Sequence, residues 1–150
     1  MKHVSQAELD HWHAQGQYQK IVDAIEAIPE PARSYDLTGQ LARAYNNLAQ
    51  YDRALALLFS VREAGRDDSV WHFRVGYAYY HMGDLKRAHP YFARAVVLDP
   101  DYTAAKEYLS LCQTDVNCGM RSGRLSKFCS KHPYELYGNK RKKIPPISYL

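Results

Sequence analysis

Slid against itself by 34 residues, the chain aligns residues 35–68 with 69–102, and the coincidences fall where helices would pack. Ala42 meets Gly76, Tyr45 meets Tyr79, Tyr51 meets Leu85, Ala54 meets Ala88, Leu58 meets Phe92, and Val61 meets Ala95. Small residues recur where two helices approach closely, and large ones recur at helical spacing. A repeat of this length restricts the fold to arrays whose units bury their apolar faces only against their neighbours. The pattern in residues 69–102 predicts helices over 69–82 and 85–98. Gly83 can take the left-handed conformation that ends the first, and Asp84 can cap the second. Pro100, after Asp99, lacks the N–H that continuation would need.

The flanking segments read as weaker versions of the same unit. In residues 5–34, Ser5-x-x-Glu8 has the form of a capping box, Gly16 marks a turn, and Ile21, Ile25 and Ile28 follow at helical spacing, one residue out of register with the later repeats. Residues 101–113 read as a final helix that covers the last hairpin. From Thr114 the periodicity fades, and residues 114–150 hold eight Lys or Arg against Asp115 and Glu135. Of the 20 basic and 16 acidic residues, 12 and 14 therefore precede that point, so a body of charge −2 carries a tail of +6.

His72-x-x-Val75-Gly76-x-x-Tyr79, Ala88-x-x-x-Phe92 and Pro100 resemble the tetratricopeptide signature, with His72 where that pattern has tryptophan and Trp71 one place earlier. Residues 35–68 keep Leu41, Ala42, Tyr45, Ala54 and Leu58, with Arg66 in place of the closing proline. The stretches 41–48 and 71–80 also resemble short bacterial stand-alone members of the family. The resemblance implies an all-α helical-hairpin solenoid over residues 1–113: a degenerate repeat 5–34, repeats 35–68 and 69–102, and a capping helix 101–113. An irregular basic tail, 114–150, would follow. For function it implies a non-enzymatic adaptor, scaffold or neutralising protein that binds a peptide or protein.

In that family the first helix of each hairpin lines a concave groove. Setting aside the packing positions leaves Asp36, Gln40, Arg43, Asn46 and Asn47 from one repeat and Phe73, Arg74, Tyr77, Tyr80 and His81 from the next. Arginine and amides hold carboxylates or peptide backbone, and tyrosine gives rigid contact area with a hydroxyl at its tip. These side chains suit an acidic peptide. Members that grip a chain-end carboxylate use lysine and asparagine at set places. Gly39 and Arg43 occupy two of those, and only Arg74 fits, so that mode is not expected. The alternative is nucleic-acid or anion binding through residues 121–143, centred on Lys140, Arg141, Lys142 and Lys143.

Other chemistry finds little support. Cys112, Cys118, Cys129 and His132 include only one pair at zinc-chelating spacing, so no metal or cofactor is expected, and Cys112 reads as a buried residue. His11 and His13 lie two apart on a helix and face different ways beside Trp12, which reads as the anchor of the first hairpin with the histidines at its edge. No nucleophile with a base, no paired carboxylates and no phosphate loop stands out. Asp67, Asp68 and Asp84 lie at turns, where capping accounts for them. The polar N-terminus carries no apolar stretch of signal or membrane length, and three cysteines do not suggest a disulfide framework, which together point to the cytoplasm.

Overall fold

Short polar side chains start the helices. Ser5 accepts the N–H of Glu8 at 3.2 Å while the Glu8 carboxylate takes the N–H of Ser5 at 2.9 Å, completing the capping box. Ser34 accepts from Leu37, Asp68 from Val70, and Asp84 from Arg87, at 3.2, 2.9 and 3.0 Å. The computed structural model describes residues 4–121, with side chains through Thr114. These caps open helices α1 (Gln6–Ala14), α3 (Tyr35–Asn47), α6 (Ser69–His81) and α7 (Leu85–Leu98). Between them lie α2 (Tyr18–Glu26), α4 (Tyr51–Ser60) and the single turn α5 (Arg62–Gly65), and α8 (Thr103–Arg121) follows. Among the described residues there is no strand, and the fold is all-α.

Three hairpins, α1–α2, α3–α4 and α6–α7, turn in one way. Gly16, Ala49 and Gly83 have φ of 69°, 59° and 84°. In each case that residue's N–H reaches three residues back, to His13, Asn46 and Tyr80, and the next N–H reaches five back, to Trp12, Tyr45 and Tyr79. This is the Schellman closure, which satisfies carbonyls that the helix end leaves open. The left-handed backbone favours glycine, and Ala49 adopts it with a Cβ present.

Consecutive helices pack α2 on α3, α4 on α6 and α7 on α8, while the first helices α3, α6 and α8 also touch in sequence. Leu41, Ala42, Tyr45, Ala54, Leu58 and Val75 lie in one buried cluster, and Ala88, Phe92 and Ala95 in a second beneath α8. The repeat's small positions are tight, for a Cβ on Gly76 would stand 2.9 Å from the Phe92 ring. Tyrosine hydroxyls stitch neighbouring hairpins: Tyr45 donates to Glu26, and Tyr35 to Asp68 at 2.6 Å.

Two features depart from the expected pattern. The second hairpin's outer helix stops at Ser60, because Trp71 donates its indole N–H to the Leu58 carbonyl at 2.8 Å and the ring lies against Gly65, where a Cβ would come within 2.3 Å of it. The displaced tryptophan of the signature thus reaches back into the preceding repeat. The final helix runs to Arg121, past the expected end at Gln113 and through Gly119, since no proline interrupts residues 103–121.

Candidate partner-binding groove

The first helices bring bases from three successive hairpins together. His13 on α1 lies beside Asn47 on α3, with Nε2 3.1 Å from the amide nitrogen, and edge-on to Tyr18 at 5.3 Å between centroids. Burial, then the charges of Arg43 and Arg74, push its pKa down to about 4, against the opposing pull of Asp10. His13, expected at the edge of the first hairpin, is instead buried in the stack, while His11 is exposed. Arg43, 4% exposed, donates to Gln40 Oε1 at 3.4 Å, and its pKa falls to about 10, mainly through burial and next through Arg74. Arg74 is half-buried, and burial lowers its pKa too, while Tyr102, Asp68, Tyr35 and Asp36 act the other way.

The aromatic half of the expected groove is arranged differently. Phe73 and Tyr80 are buried at 3% each beneath α8. Phe73 packs on Phe92, Tyr102 and Tyr108 with centroids 5.6, 5.0 and 5.6 Å away, and Tyr80 meets Tyr108 edge-on at 5.1 Å. Asn46 is 1% exposed and donates to the Arg74 carbonyl at 3.1 Å. These three therefore belong to the packing, contrary to the sequence reading that left them over. The physical reason is that α8 covers the side of α6 that a further repeat would cover, and that Asn46 satisfies a carbonyl on the adjacent helix. Tyr77 and His81 stay half-buried at the margin, their rings 4.1 Å apart, and His81 also stacks on Tyr51 at 5.8 Å. Burial lowers its pKa to about 4.

The accessible part of this face therefore comprises Asp36, Gln40, Asn47, Arg74, Tyr77 and His81, whereas Arg43, which the sequence reading placed in the groove, is buried between the helices like Phe73 and Tyr80. Sequence reasoning missed His13 and Tyr102. The second had a signal: it stands 34 residues after Asp68, where a capping residue belongs.

Cys112 is buried in α8. Among the described residues no three His, Cys, Asp or Glu side chains gather as metal ligands, and no helix is long and apolar enough to cross a membrane. Cys118, Cys129 and His132, and the basic run Lys140, Arg141, Lys142 and Lys143, lie outside the residues whose side chains are described.

A search among curated proteins finds no match. Residues 70–102 match the family model described as Tetratricopeptide repeat. Repeats of this family generally mediate protein–protein interaction and are in general not catalytic. That match covers the third hairpin, whose turn and packing recur in the two before it, and it supports a tetratricopeptide-repeat family.

Proposed function

We propose that the chain is a non-enzymatic adaptor or neutralising protein of the cytoplasm that holds a peptide or protein partner against the face formed by α3 and α6. One observation carries this reading: His13, Arg43 and Arg74, from three successive first helices, lie near enough that Arg74 lowers the pKa of Arg43 and both arginines lower that of His13, while burial lowers all three. Such a concentration of basic groups is unfavourable for the free protein and becomes favourable when an acidic group meets it.

The test is affinity capture from the source cell's lysate at physiological salt, with the full chain and with Arg43→Met, Arg74→Met and Tyr77→Ala combined. A partner retained by the parent and lost by the triple variant, with its thermal unfolding still cooperative, supports the face. Equal retention by both removes it. Loss after nuclease treatment, or on neutralising Lys140, Arg141, Lys142 and Lys143, would shift recognition to nucleic acid or to the tail.

A further inference from the structure

Helix α1 is held to the array by few residues. Gln6, Ala7, Glu8, Asp10, His11 and Ala14 are exposed, while Leu9 and His13 are buried and Trp12 is half-buried. A helix of nine residues is too short to persist alone in water, so α1 keeps its form only while docked. Across the turn, α2 buries Ile21, Val22 and Ile25 and has its own hold on the core. Between the two lies Gly16, exposed, with φ of 69° and open space where a Cβ would stand, a joint that can swing without displacing a neighbour.

One of the residues in that small anchorage titrates. His13 Nε2 lies 3.1 Å from the amide nitrogen of Asn47 on α3, and the ring stands edge-on to Tyr18 of α2 at 5.3 Å. An amide nitrogen can only donate, so Nε2 accepts and the docked imidazole is neutral. Protonation would put an N–H on both ring nitrogens and turn Nε2 into a donor facing a donor. The charged groups around the ring are Asp10 on α1, Arg43 on α3 and Arg74 on α6, two cations against one carboxylate. Burial first, then Arg43 and Arg74, hold the native pKa down to about 4, while an undocked His13 returns to its ordinary 6.5.

We propose that His13 is an acid-operated clasp: its protonation breaks the bond to Asn47 and releases α1 from α3, pivoting at Gly16, while the later hairpins and α8 stay folded. The inference does not depend on the proposed use of the α3–α6 face. The sign follows from linkage, because below pH 6.5 the released form binds the proton and the docked form does not, so release grows as pH falls. With the two values above, the docking equilibrium shifts about thirtyfold toward release between pH 7 and pH 5. Asn47 is one of the accessible residues of the α3–α6 face, so release also changes the donors which that face offers.

The test is amide hydrogen exchange of the full chain, followed by NMR at pH 7 and pH 5, each with and without low urea, and corrected for intrinsic rates. The N–H groups of Gln15 and Gln17, bonded to the carbonyls of His11 and Trp12, report on α1. Those of Gln50 and Asp84, bonded to Tyr45 and Tyr79, report on the equivalent turns of the later hairpins. Protection at Gln15 and Gln17 should fall about thirtyfold from pH 7 to pH 5, with a weaker urea dependence than at Gln50 and Asp84. In His13→Gln, whose side chain can still accept from Asn47 but does not titrate, that fall should vanish, and in His81→Gln it should persist. Arg74→Met removes one of the two cations and should make the loss at pH 4 several-fold smaller than in the parent.

Protection at Gln15 and Gln17 that does not change between pH 7 and pH 5, or is already lacking at pH 7, overturns the clasp. So does a urea dependence at pH 5 equal to that of Gln50 and Asp84, since α1 would then leave only when the array unfolds. A fall that survives in His13→Gln assigns the response to another group. Should His13→Gln lose α1 protection at both pH values, the Arg74→Met comparison decides, and an undiminished loss at pH 4 in that variant overturns the proposal.

Discussion

The second and third hairpins share a length, a turn and an internal packing scheme, yet they present different first helices. On α3 the inner side is polar, with Gln40, Arg43, Asn46 and Asn47, while on α6 it is an aromatic layer of Phe73, Tyr77 and Tyr80 partly closed over by α8. The outer helices differ too, α4 ending at Ser60 and α7 running unbroken from Leu85 to Leu98. The repeat is kept where one hairpin must fit the next, at Ala42 and Gly76 or Leu58 and Phe92. It is free to vary where the helix meets solvent, a partner or a terminal helix. The proposed recognition therefore uses positions the repeat does not constrain.

The largest expected effect breaks the link between the two hairpins. Trp71→Ala removes a buried indole together with its bond to the Leu58 carbonyl and should cost about 3–5 kcal/mol in urea unfolding. Leu37→Ala, at the position 34 residues earlier, is half-buried and should cost less. Equal losses would mean that the displaced tryptophan plays no special part.

Acid should then separate the environments of His13 and His81. For both His13 and His81 the native pKa, about 4, lies below the ordinary 6.5, so between these values the unfolded chain binds more protons than the native one. Stability is fully present above pH 6.5 and falls as pH drops toward 4, at up to about 1.4 kcal/mol per pH unit for each histidine. At pH 5, His13→Gln and His81→Gln should each lessen that fall. Added salt should relieve the His13 contribution more, since Arg43 and Arg74 act on it by charge, whereas burial is what lowers the pKa of His81. A salt response equal at both would contradict the distinction.

Tyr35→Phe removes the hydroxyl that ties α3 to Asp68 and should cost about 1.5 kcal/mol, a link the third hairpin lacks because Ser69 stands at its equivalent position. The smallest effect is a gain. Ala49→Gly relaxes the only one of the three turns without glycine and should raise stability by about 1 kcal/mol. A loss on that substitution would show that the alanine side chain is needed there.

How much the sequence disclosed follows from the same contrast. The hairpins were legible because Gly16, Gly83, Ser5, Asp84 and the recurring small and large positions act locally or between adjacent helices. The capping roles of Asp68 and Asp84 were legible for the same reason. The accessibility of Phe73, Tyr80 and Asn46 was not, since it depends on where α8 lies and on a carbonyl from another helix. His13 and Tyr102 come within the field of the arginines only across 28 or more residues, which periodicity does not report. Trp71 lay one place off the family pattern, and its bond to Leu58 explains why.

The central claim is that recognition takes place on the α3–α6 face. It is tested most directly by placing a photo-crosslinking residue, p-benzoylphenylalanine, at Gln40 on α3 or at Val97 on the outer helix α7, in the source cell. Gln40 lies beside Arg43, and Val97 is 67% exposed on the other helix of its hairpin. A partner crosslinked from position 40 and not from position 97 is the predicted result. Crosslinking from position 97 alone would contradict the account and move recognition to the outer surface.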